Sequence, residues 1–134
     1  MCDEFSVEVR NGDTSLKVRA RQAKKLPHIL ITTPESFQLL ICSKGWKKKM
    51  EQVDTVVVDE WHELMGSKRG VQLELCLSAL RFYNSNLKTW GISATIGNLD
   101  EAKNVLIGKH LDGSYIKGKP VSYTHLTLPT SNSV

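Results

Sequence analysis

Phe5, Val7 and Val9 alternate with Ser6, Glu8 and Arg10, a period-two pattern that predicts a short strand ending at the turn Asn11-Gly12-Asp13. Thr14 or Ser15 can cap a following helix that runs to about Lys25. Leu16, Ala20 and Ala23 fall on one face of it, Lys17, Arg19, Arg21, Lys24 and Lys25 cover much of the rest, and Pro27 stops it. His28 to Thr33 is β-branched and apolar without alternation, the pattern of a strand buried on both faces of a parallel sheet. Thr33-Pro34-Glu35 then opens a helix, with a hydroxyl cap, proline at the first helical position and a carboxylate at the positive helix end. Strand patterns recur at Thr55 to Asp59 and at Lys88 to Ser93. Between them Val71 to Tyr83 is a helix whose stripe of Leu73, Cys76, Leu77 and Leu80 must pack deeply, and Asp100 to Leu106 supplies a last short helix. Strand and helix in alternation predict an α/β fold with a parallel sheet flanked by helices.

Composition narrows this reading only a little. The 134 residues are 40% hydrophobic and 24% charged, enough for one core and not for two full domains. A net charge of +4 permits an anionic partner without requiring one. Cys2, Cys42 and Cys76 are far apart, lack the pair spacing of a zinc site, and read as reduced thiols. No apolar run approaches a membrane span and the N-terminus has no signal pattern, so a cytoplasmic protein with no membrane partner is expected. From Pro120 the chain loses all Lys, Arg, Asp and Glu and has no clear period. Val121 to Thr130 resembles the translation of a transposase sequencing adapter, so residues 120–134 are expected to be a non-native tail rather than part of the fold.

Chemistry in an open parallel sheet gathers beyond the carboxyl ends of the strands. Four polar clusters fall there: Gly12-Asp13-Thr14, Thr32-Thr33-Pro34-Glu35-Ser36, Asp59-Glu60-Trp61-His62 and Ser93-Ala94-Thr95. In the third, desolvation and like charge act on adjacent carboxylates at a strand exit, so the pair needs a cation. One reading has the first acid orient magnesium through water while the second positions or deprotonates an attacking water; the other has the pair simply cap the next helix. His62 alone would read as an ordinary hydrogen-bonded imidazole. Asp-Thr and Thr-Pro-Glu are also ordinary helix caps. Lys47, Lys48 and Lys49 beside Trp46 read as a solvated helix face, with backbone attraction plus stacking the less favoured alternative. Trp61 and Trp90 are expected to pack around the strand ends.

Taken together, Asp59-Glu60-Trp61-His62 and Ser93-Ala94-Thr95 resemble motifs II and III of superfamily 2 helicases. The ordered set GDTS, ITTPES, VVDEWHEL, GSKRGVQLEL and WGISATIGNL is similar to the Lhr-type group, particularly the ligase-associated DEXH-box DNA helicases. The resemblance spans about Phe5 to Lys119. It implies a partial, RecA-like first motor domain of the P-loop NTPase type over residues 1–119, carrying motifs Ib, Ic, II and III, with ATP and Mg2+ as cofactors. By the same resemblance Asp59 holds magnesium through water, Glu60 is the catalytic base, and His62 couples the nucleotide site to Ser93 and Thr95. Gly12, Asp13 and Thr14 form one grip on the nucleic-acid backbone, and Thr33, Pro34, Glu35 and Ser36 the other. Lys68 and Arg69 have no assigned role. The implied partners are DNA, as a single strand or a junction with duplex, a second RecA-like domain of the same protein, and a DNA ligase in repair.

No G-x-x-x-x-G-K-[ST] run occurs in the sequence, although such a motor needs one for the ATP phosphates. The expectation is therefore a truncated motor, inactive by itself, whose strands lack neighbours and leave apolar faces exposed. Two alternatives stay open at this point: part of a DEXH or DEAD RNA helicase, and a non-catalytic nucleic-acid-binding module.

Overall fold

The structure is a computed structural model that describes residues 5–94, 97–108 and 113–118. Cys2, Thr95 and the adapter-like segment lie outside the described residues. Strand β1 (Val7–Arg10) pairs in parallel with β2 (Ile29–Thr32), Arg10 opposite Thr32, and helix α1 (Leu16–Lys24) connects them. Strand β3 (Thr55–Val58) pairs in parallel with β4 (Lys88–Gly91), Val58 opposite Gly91. Helices α2 (Pro34–Ile41) and α3 (Trp46–Met50) lead from β2 to β3; α4 (Trp61–Leu64) and α5 (Lys68–Tyr83) lead from β3 to β4; α6 (Leu99–Ile107) closes the order. Among the described residues the expected parallel sheet is thus present as two pairs of strands.

The core sits between α2 and α5. Leu73, Cys76, Leu77 and Leu80 form the predicted stripe, all at most 6% exposed, and meet Phe37, Leu40 and Ile41 of α2. Period-two geometry sends successive strand residues to opposite faces. Leu30, Val56 and Val58 therefore pack against the helices, while Val7, Val9, Ile29, Ile31 and Val57 are half exposed on the other face. Burial of β2 on both faces, expected from its continuous apolar run, does not occur: among the described residues helices cover one face only.

Helix α1 corrects a second expectation. Leu16 is 84% exposed and Ala20 is exposed, whereas the side that packs on β1 carries Val18, Arg19 and Gln22. Polar chemistry holds this face: the Gln22 amide donates to Glu8 Oε2 at 2.9 Å and to the Val9 carbonyl at 3.1 Å, and Arg10 Nη1 donates to the Arg19 carbonyl at 3.3 Å. A hydrophobicity pattern cannot report such an interface.

Helix α5 starts where Ser67 Oγ accepts the Gly70 N–H at 3.0 Å. Gly70 is fixed by space, since a Cβ there would lie 1.9 Å from the Leu64 carbonyl oxygen, a backbone atom that cannot swing aside. Gly70→Ala is expected to destabilise the fold by about 1–3 kcal/mol, the usual cost of overpacking; the midpoint of urea unfolding checks this.

Candidate functional site

Parallel pairing brings the four predicted clusters together two by two. Arg10 lies opposite Thr32, so the turn after β1 and the start of α2 leave from neighbouring strand ends. Val58 lies opposite Gly91, which places Asp59 to His62 beside Ser93. The second junction is tightly tied: the Ile92 N–H donates to the Val58 carbonyl at 2.8 Å, and the Trp61 N–H to the Ile92 carbonyl at 3.0 Å. Trp61 is 2% exposed, and its indole N–H reaches the Ala102 carbonyl of α6 at 3.1 Å. Gly91 allows this approach, because a Cβ there would meet Leu106 Cδ2 at 2.4 Å.

On that anchor, the polar side chains of the cluster converge. Ser93 Oγ accepts the His62 backbone N–H at 3.1 Å and lies 2.8 Å from His62 Nδ1. Glu60 Oε2 is 3.3 Å from the same ring nitrogen, and Glu63 Oε1 is 3.3 Å from Nε2. His62 is thus a partly buried node between the two strand ends. Glu60 adopts φ 48° and ψ 45°, the one positive-φ residue other than glycine among the described residues. Such a conformation costs about 1–3 kcal/mol in a non-glycine residue and persists only where its surroundings enforce it. Neither acid caps α4 in the ordinary way: Glu60, at the cap position, makes no side-chain cap bond, and Asp59 Oδ1 accepts the N–H of its neighbour Glu60 at 2.9 Å. Capping therefore does not explain the pair. Both side chains are exposed at the strand exit. Two hard carboxylates suit magnesium, which keeps most of its waters and takes only one or two protein ligands beside substrate phosphates.

The grip residues divide. Thr33 Oγ1 accepts the Ser36 N–H at 3.3 Å and Pro34 occupies the first turn, so the cap reading holds for this segment, and Ser36 is 4% exposed. Glu35 turns to Arg69, with Nε to Oε1 at 2.6 Å, and this guanidinium, followed by bonds from the backbone and Thr33, holds the carboxyl below its usual range. Arg69, to which the sequence assigned no role, thus ties the start of α5 to the start of α2.

In the other grip, Gly12 and Asp13 are exposed, whereas the Thr14 hydroxyl is engaged by Asn11; Ser15, not Thr14, caps α1. Arg19, missed in the sequence, braces this turn through Nη2 to the Asn11 and Gly12 carbonyls, each at 2.8 Å. Trp46 packs edge-on against Tyr83. Trp90, expected to pack, is 55% exposed because it lies on the bare face of β4.

Gly113, Gly118 and Lys119 repeat the glycine and lysine spacing of a phosphate loop, yet Pro120 stands where Ser or Thr belongs and residues 113–118 form neither helix nor strand. A cleft of about 710 Å3 between α5 and α6 contains none of the candidate residues. No helix among the described residues is long and apolar enough to cross a membrane.

The parallel α/β fold, with acids at one strand exit bridged through histidine to a serine at the next, is that of a RecA-like helicase motor. The chain belongs to the DEAD/DEAH box helicase family, whose model matches residues 2–102. Within it the chain is similar to the ATP-dependent helicase Lhr-Core of Sulfolobus acidocaldarius, 40% identical over 93% of this chain and 14% of that protein. It is also similar to the Lhr helicase/uracil glycosylase of Escherichia coli, 37% identical over 76% of this chain and 7% of that one. Among solved structures, Mycobacterium smegmatis helicase Lhr bound to ssDNA and AMP-PNP matches with a TM-score of 0.69 and 35% identity, over 77% of this chain and 13% of that chain. The Lhr-type resemblance is borne out. The chain spans about one seventh of the length of the Sulfolobus relative.

Proposed function

We propose that residues 1–119 are part of the first motor domain of a longer ATP-dependent helicase that couples Mg-ATP hydrolysis to movement along DNA. The observation that carries this reading is the His62–Ser93 contact, which joins the strand exit bearing Asp59 and Glu60 to the next strand exit. Asp59 would hold magnesium through water, and the ion supplies neutralisation of charge on the phosphates. Glu60 takes the proton of the attacking water. His62 and Ser93, with Thr95 beyond the described residues, pass the state of the nucleotide site to the strand-gripping loops. Gly12, Asp13 and Thr14, and Thr33 to Ser36, hold the sugar-phosphate backbone, with Arg69 neutralising Glu35. A second RecA-like domain supplies the arginine finger. The similarity to a helicase solved with ssDNA supports DNA as the strand.

In the full-length protein, Ser93→Ala removes the acceptor of the His62 N–H while leaving both acids in place. ATP hydrolysis is expected to persist and strand displacement to be lost; equal loss of both would place Ser93 in the chemical step. Paired assays with a DNA and an RNA tracking strand test the reading itself. Faster turnover with DNA is expected, and turnover stimulated by RNA alone would replace it with an RNA-helicase function.

A further inference from the structure

A basic feature lies at the end of the strands opposite Asp59 and Ser93. Lys24, Lys25, Leu26, Gly45, Lys48, Lys49 and Gln52 line a cleft of about 400 Å3. These residues belong to the segments that enter β2 and β3, whereas Asp59, Ser93 and both grips follow the carboxyl ends of their strands. At about 3.3 Å per residue, a four-residue strand separates the two ends by about 13 Å.

Four lysines converge on this cleft, and its lining contains no carboxylate. None of the four forms an ion pair among the described residues, where the ion pairs of Lys and Arg are Arg21–Glu8, Arg69–Glu35 and Lys88–Asp54. Neighbouring Lys47 is engaged differently, its ammonium lying 4.6 Å from the Tyr83 ring centroid, so the run of three lysines splits between the core side and the cleft. Lysines near the carboxyl ends of α1 and α3 do complement the helix dipoles. Each dipole, however, amounts to about half an elementary charge and leaves most of four positive charges unbalanced.

We infer that Lys24, Lys25, Lys48 and Lys49 form a second nucleic-acid site, which holds sugar-phosphate backbone away from the motor cluster. The lining has no aromatic ring for a base to stack on, so the contact is with phosphate and sugar and is independent of sequence. Gln52 adds a neutral donor and Leu26 an apolar wall for the sugar face. The site gives the protein a hold on a strand or duplex arm outside the path gripped beside Asp59. The choice of DNA as probe rests on the proposed function; the site's own test reads lysines rather than ATP turnover, so the two can fail separately.

Acylation of lysines in the full 134-residue chain, read by mass spectrometry with and without a DNA oligonucleotide, tests the inference without any mutation. The oligonucleotide is expected to protect Lys24, Lys25, Lys48 and Lys49 and to leave Lys17 and Lys117 reactive. Uniform protection or none overturns the site, as does protection by inorganic tripolyphosphate alone, which would make it a site for free polyphosphate. Binding of the same oligonucleotide across a salt series gives the second measurement. Lys25→Ala with Lys48→Ala is expected to lower the log–log salt slope by about 1.4, at about 0.7 per phosphate contact on a single strand. A charge-matched pair, Lys17→Ala with Lys117→Ala, is expected to leave the slope in place, and an equal drop would reduce the cleft to diffuse charge.

Discussion

Glu60→Gln in the full-length protein is expected to cut ATP turnover by about 10²- to 10⁴-fold, the usual contribution of a positioned general base, while DNA binding is kept. Gln has nearly the volume of Glu, and the side chain is 64% exposed, so little packing changes. The left-handed backbone at residue 60 comes from the strand-to-helix junction and its bonds to Ile92 and Asp59, none of which the substitution touches. What disappears is the capacity to take a proton. Steady-state phosphate release, with DNA present, measures it; a loss of only a few-fold would give the base another identity, and a matching loss of DNA binding would make the effect one of folding.

Trp61→Ala is expected to cost about 3–5 kcal/mol, as truncation of buried large aromatics does. Trp61 packs against the core that includes Val58, Ala102 and Leu106, and its N–H donates to the Ala102 carbonyl. Its backbone N–H is held by Ile92, so the residue ties α4 to both β4 and α6. Urea unfolding gives the loss directly. Trp61→Phe keeps much of the burial, sacrifices one hydrogen bond, and should cost about 1 kcal/mol for that bond beyond the smaller area. Full stability in the alanine variant would contradict the anchoring role.

The parts legible in the sequence are those that rest on period and on motif order. The stripe Leu73, Cys76, Leu77 and Leu80 is buried as its helical spacing requires, and strand-end positions put His62 against Ser93. What escaped prediction follows from polar or steric detail. The packed face of α1 is held by Gln22 and Arg19, which a hydrophobic pattern scores as solvent-facing. Arg69 meets Glu35 from 34 residues away, a contact that only the packing of α2 on α5 creates. Gly70 and Gly91 read as ordinary glycines until the Leu64 carbonyl and Leu106 are seen against them. The outward faces of β2 and β3 could not be inferred from continuous apolar runs, because such runs state what can be covered and not what covers it.

The most direct test of the account is the DNA dependence of ATP turnover in the full-length protein. Single-stranded DNA is expected to accelerate hydrolysis, and Glu60→Gln to remove the accelerated rate. Turnover indifferent to DNA, or unchanged by the substitution, would contradict it.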